Sequence, residues 1–195
     1  MLAIKGGTIL TPEERIEGGT LLIEGGKILE VGREAGIPPD AEVIDAQGKY
    51  IIPGLIDAHC HTGLFPDGVG QEQSDGNEMT DPVTPHLRAI DAIHPEDMAF
   101  DDLRKAGVTT INTGPGSANI VGGQTAIVKT WGRTVEEMLI RAPAAMKMAL
   151  GENPKRVYRE QKKTPSTRMP NTPSIMSIRI PDHNHQNSMT CFNHP

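Results

Sequence analysis

The stretch Tyr50-Ile51-Ile52-Pro53-Gly54-Leu55-Ile56-Asp57-Ala58-His59-Cys60-His61 constrains this chain more than any other. A short apolar run bounded by Pro-Gly and ending in polar residues reads as a buried strand whose end opens onto a site. Side chains at i and i+2 of a strand share a face. His59 and His61 therefore project side by side, and Cys60 points away. Neutral imidazole is the commonest protein ligand for a divalent metal, and two ligands on one rigid element make a preorganised site. A His-x-His pair alone is more often a surface accident or a pair of packed histidines. The apolar run behind this one favours the metal reading.

On either side of this stretch the sequence follows two different grammars. Residues 1–50 read as a meander of short strands at Leu2 to Ile4, Thr8 to Leu10, Thr20 to Glu24, Lys27 to Val31 and Ala41 to Ile44. Gly25-Gly26 between two β-compatible runs is a two-residue hairpin signal. Beyond residue 50, strand and helix signals alternate. The strand candidates are Tyr50 to His61, Val108 to Thr113, Thr125 to Thr130 and Ala145 to Leu150. Pro95 to Ala106 reads as a helix closed by Gly107, with Met98, Leu103 and Ala106 as its buried stripe. Thr134 and Glu137 stand at capping-box spacing for a second helix. Such alternation predicts parallel strands. The long polar segment from Leu64 to His94 is expected to hang over the end of the first strand as part of a substrate pocket.

The Pro-Gly-Leu-Ile-Asp-Ala-His-Cys-His motif resembles the first barrel strand of the amidohydrolase superfamily. Gly107-Val108-Thr109-Thr110, Gly122-Gly123-Gln124-Thr125-Ala126 and Gly151-Glu152-Asn153-Pro154-Lys155 narrow the likeness to imidazolonepropionase-like members, in their N-terminal half. The resemblance implies an α/β fold. In it, residues 1–50 form part of a composite β-sandwich and residues 51–168 the first four strands of a (β/α)8 barrel. It implies a hydrolase of carbon–nitrogen bonds in cyclic amide, imidazolone-type or dipeptide substrates. It also implies a divalent metal, zinc first, with iron, manganese or nickel left open. His59 and His61 would ligate this metal, and Lys147, set in the apolar run Ala145 to Leu150, would bridge a second ion if carboxylated. A snorkelling lysine is the competing reading; Lys129 is a rival on the third strand. Asp57 either orients a ligand histidine or simply ends the strand, the first being favoured; Asn119 and Gln124 either meet substrate or sit in ordinary tight turns. The general-base aspartate belongs to an eighth strand that this sequence does not supply.

Composition sets the remaining expectations. With 25 acidic and 19 basic residues in 195, the net charge of −6 argues against nucleic acid or an anionic membrane as partner. No apolar run reaches the ~20 residues of a membrane span. The N-terminus reads as a strand rather than a signal peptide, and two cysteines make no disulfide framework. The expected setting is the cytoplasm and the expected partner a small-molecule substrate, with oligomers allowed for a full-length form. Residues 169–195 break the pattern. Glycine is gone, Asp182 is the one acid, and Pro, Ser, Asn and His dominate. This tail is expected to be disordered, through a changed reading frame, a truncated gene or an authentic extension. Its His183-Asn184-His185 lacks a strand behind it and reads as solvent-exposed. An inactive fragment, or a non-catalytic metal-binding or interaction protein, is the alternative to an enzyme.

Overall fold

The computed structural model describes residues 1–68, 70 and 74–167, so the expectations for residues 169–195 lie outside the described residues. The chain divides into two compact units, Met1–Gly54 and the remainder from Leu55.

The first unit is one mixed sheet. It contains β1 (Leu2–Leu10), β2 (Arg15–Glu24), β3 (Lys27–Gly32), β4 (Glu42–Asp45) and β5 (Tyr50–Ile51), in the order β3-β2-β1-β4 with β5 also on β1. The two strands expected within residues 2–10 are one strand, irregular where Gly6 takes φ +79°. Gly25 and Gly26 have φ of +56° and +74°, the paired left-handed geometry of a tight hairpin joining β2 to β3. The expected meander ends there. β4 and β5 run parallel to β1, because the connection through Gly36 and Pro38-Pro39 crosses over instead of folding straight back. Ile9, Ile16 and Leu21 form a small core with Ile4, Ile23 and Ile51 packed on it. Ile28 of β3 is 64% exposed. The described residues of this unit contain this one sheet, and the second layer of a β-sandwich is not seen.

In the second unit β6 (Leu55–Cys60) pairs in parallel with β7 (Val108–Thr113), as the alternating signals predict. Their crossover carries α1 (Met98–Lys105). Its buried anchor is Phe100, packed in a core with Leu64, Ile93, Ile111, Val128 and Met138, whereas Met98 and Ala106 of the expected stripe are exposed. Asp97 caps α1. Its carboxylate accepts from the backbone N–H of Ala99, Gly63 and Asp67 at 3.0, 3.0 and 3.1 Å, so one buried side chain ties the helix to the loop after β6.

Two strand expectations are overturned. β9 (Ala126–Lys129) runs antiparallel to β7. β11 (Met146–Met148) leaves the main sheet and pairs antiparallel with β8 (Val121–Gln124). A parallel return needs a crossover element. Residues 114–125 offer Gly114, Pro115, Gly116 and the short β8 but no helix, so the chain comes back beside itself. α2 (Val135–Met138) is a single turn, and β10 (Leu139–Arg141) after it is antiparallel to β9. The main sheet is thus β10-β9-β7-β6, a mixed α/β arrangement. β6 stands at its edge, with Ile56 71% exposed.

The loop between β6 and α1 is also more structured than its composition suggests. Residues 82–88 run alongside β8, where the N–H of Thr84 donates to the Val121 carbonyl at 2.9 Å and that of Gln124 to the Leu87 carbonyl at 2.7 Å. α3 (Glu152–Glu160) buries Pro154 and Tyr158. Among the described residues no helix is long and apolar enough to cross a membrane.

Candidate metal centre

His59 and His61 lie side by side at the end of β6, ring centroids 5.2 Å apart and nearly perpendicular. Nδ1 of His61 is 2.7 Å from the carbonyl oxygen of Gly114. A carbonyl can only accept, so Nδ1 carries the proton and Nε2 of the neutral ring keeps its lone pair. Burial pushes the His61 imidazole below its ordinary range, against the hydrogen bond to Gly114, and the charge of Lys147 acts in the same direction as burial. The ring of Phe65 meets His61 edge-on at 5.7 Å. That ring lies where a side chain at position 76 would sit: a Cβ on Gly76 would come within 2.0 Å of it.

Lys147 comes to this place from the other sheet. Its Nζ is 3.1 Å from Nε2 of His59. The side chain is buried, and burial pushes its amine below the usual lysine range. The rival Lys129 is exposed on β9 and donates to Thr110 Oγ1 at 3.2 Å. Of the two lysines, Lys147 is therefore the one that meets the histidines. Asp57 accepts from the backbone N–H of His59 at 3.0 Å. That contact is to the main chain, and of the two readings of Asp57 it matches the one that ends the strand.

The two expected substrate contacts are used inside the protein. Asn119 is 2% exposed, with its Nδ2 donating to Thr84 Oγ1 at 3.0 Å and its Oδ1 accepting from the Tyr158 hydroxyl at 2.6 Å. Gln124 donates from Nε2 to the Pro85 carbonyl at 3.1 Å. The backbone that Gly123 admits is the protein's own. It has φ +130°, and a Cβ there would lie 2.7 Å from the Leu87 carbonyl. Cys60 packs against the core, and burial raises its thiol pKa, so it faces away from the histidines as an unreactive group. Asn112 Oδ1 is buried without a hydrogen-bond partner among the described residues. The Gly114 carbonyl and Phe65 are site features that the sequence reading missed. The signal for the first was a Gly-Pro-Gly turn directly after β7, and for the second an aromatic one helical turn past His61.

No protein-family model matches the chain. Similar proteins and structures do. An amidohydrolase from Thermotoga maritima MSB8 superposes with a TM-score of 0.85 at 46% identity, over 90% of this chain and 45% of that one. The chain is similar to amidohydrolases over most of its own length. Amidohydrolase tasK of Hapsidospora irregularis is 36% identical over 165 residues, covering 77% of this chain and 17% of that protein. A dihydroorotase of Geotalea daltonii is 49% identical over 59 residues, 30% of this chain and 14% of the enzyme. The chain thus spans less than half of each of these amidohydrolase-type relatives. A match over 90% of the chain takes in residues of both units.

Proposed function

We propose that this chain carries the metal-capturing strands of a metal-dependent amidohydrolase that cleaves a C–N bond in a small cyclic amide. The observation that carries the reading is the meeting of His59, His61 and Lys147, drawn from two sheets, with Nζ of Lys147 3.1 Å from His59 and Nδ1 of His61 already satisfied by Gly114. These residues fit a divalent cation. Two imidazoles, that of His61 held in one tautomer by the Gly114 carbonyl, offer nitrogen donors, and zinc, iron, manganese or nickel suits such ligands. Among the described residues no group of three or more His, Cys, Asp and Glu side chains is arranged to hold a metal, so the set here is two histidines and one amine. A divalent cation held by His59 and His61 would supply a Lewis acid for a carbonyl oxygen and would lower the pKa of water, so that hydroxide is available as nucleophile near neutral pH.

The chain's own residues do the rest. Gly114 holds His61 in one tautomer, Asp57 fixes the strand end, and the edge of Phe65 shields one side of His61. Dihydroorotases among the relatives support a cyclic amide over a linear one. The finer kinship with imidazolonepropionase-like enzymes, a barrel begun by β6 and β7, a β-sandwich completed elsewhere, a carboxylated Lys147 and a cytoplasmic setting belong to the same proposal. The second reading is a metal-binding fragment without turnover, which the absence, among the described residues, of a group of three or more His, Cys, Asp and Glu side chains arranged to hold a metal favours.

Elemental analysis of the full chain tests the centre. Divalent metal should copurify or load, and the double change His59→Ala with His61→Ala should abolish it. Unchanged metal content in the double variant would remove the reading. Turnover of hydantoin, imidazolone or dihydroorotate-type rings separates the enzyme from the metal-binding fragment.

A further inference from the structure

Lys147 and His59 belong to different sheets, so backbone pairing between their strands does not set their separation. β11, which carries Lys147, is paired to β8 in a two-stranded ribbon, and such a ribbon alone is marginally stable. Something outside the ribbon has to seat it. Met148, Ile120 and Val121 form a small apolar cluster beneath it. Beside that cluster runs a chain of buried hydrogen bonds. The Tyr158 hydroxyl, wholly buried on α3, donates to Asn119 Oδ1 at 2.6 Å. Asn119 Nδ2 donates to Thr84 Oγ1 at 3.0 Å, and Thr84 Oγ1 donates to the Val121 carbonyl at 3.0 Å. Each member gives in one direction, from helix to loop to ribbon; Tyr158, Asn119 and Thr84 are buried where a lost partner leaves a side-chain group unsatisfied, while the Val121 carbonyl also accepts from the Thr84 N–H at 2.9 Å. Val121 pairs with Met148, the neighbour of Lys147, and Lys147 itself pairs with Gly123.

We propose that Tyr158, acting through Asn119 and Thr84, is a positioning residue that clamps the β8–β11 ribbon and so sets Lys147 against His59. The inference rests on the metal-centre reading for its purpose but not for its geometry. α3 then serves as a brace for the site. Phenylalanine at position 158 would keep the ring packed but break the first link. Valine at 84 would keep the shape but break the last two, and serine would restore both.

The test uses the full chain with the variants Tyr158→Phe, Thr84→Val and Thr84→Ser, followed by hydrogen exchange and zinc binding. In the first two variants, peptides covering residues 120–125 and 145–149 should exchange tenfold or more faster. Those covering β7 and β9 should stay unchanged, and zinc affinity should fall about tenfold. Thr84→Ser should behave as the parent in both measurements; a role in packing alone would not distinguish serine from valine in this way. Unchanged exchange in the ribbon, or equal acceleration throughout the second unit, overturns the clamp. If the ribbon loosens as expected while zinc binding survives loss of both His59 and His61, the clamp stands and the metal reading falls.

Discussion

Nζ of Lys147 lies 3.1 Å from Nε2 of His59, although the two residues are 88 positions apart and sit on strands of different sheets. A buried amine is costly unless it finds a partner, and here the partner is an imidazole whose neighbour, His61, has its own proton fixed. The juxtaposition is specific: Lys129, the weaker rival in the sequence, ends on a hydroxyl instead.

Replacing Lys147 by methionine separates stability from site chemistry. The apolar side chain suits the burial, so the melting temperature should hold or rise. Zinc per chain, measured by elemental analysis, should drop. A marked loss of thermal stability with zinc retained would assign Lys147 a purely structural part.

Asp97 should be among the most sensitive carboxylates. Its replacement by alanine strands three backbone N–H groups at once and should cost about 2 kcal/mol or more in urea unfolding. Asparagine should recover part of the loss. A cost within error of zero would mean that the loop and helix find other acceptors.

Gly123→Ala and Gly151→Ala form a matched pair. Position 123 combines φ +130° with a backbone oxygen 2.7 Å from the new methyl, while position 151 has nothing within 4 Å. The first change should destabilise by roughly 2–4 kcal/mol, and the second should be close to neutral. Equal melting points for the two variants would contradict the packing of residues 82–88 on β8.

Tyr158 provides a pH signature. Burial first, then the charges of Asp81 and Glu78, push its phenol up to about 12. The neutral form is the one favoured by folding. The linked stability is therefore fully present below the phenol's unfolded value of ~10 and is lost as pH climbs from there through 12. Absorbance at 295 nm should show the Tyr158 phenolate appearing near pH 12. Tyr158→Phe should erase that step.

The hairpin at Gly25-Gly26, the parallel pairing of β6 with β7 and the closure of α1 at Gly107 were legible because each rests on local chemistry. Glycine pairs, the succession of strand and helix signals and helix punctuation can each be read from short stretches of sequence. The direction of β9 and the departure of β11 were not legible, since they depend on whether residues 114–125 form a crossover helix, and apolar runs of strand length look alike in either direction. The side-by-side histidines could be read from their spacing. That Asn119 is engaged by Tyr158 and Thr84 could not, because those contacts join residues 39 and 35 positions apart.

A free imidazole exchanges its proton between two nitrogens and presents either one to whatever arrives. In this chain the choice is made during folding. The Gly114 carbonyl takes hold of Nδ1 of His61, and an arriving electrophile meets a bare lone pair with no proton to evict. The turn after β7 therefore acts on reactivity by deciding, in advance, which end of a ring is basic.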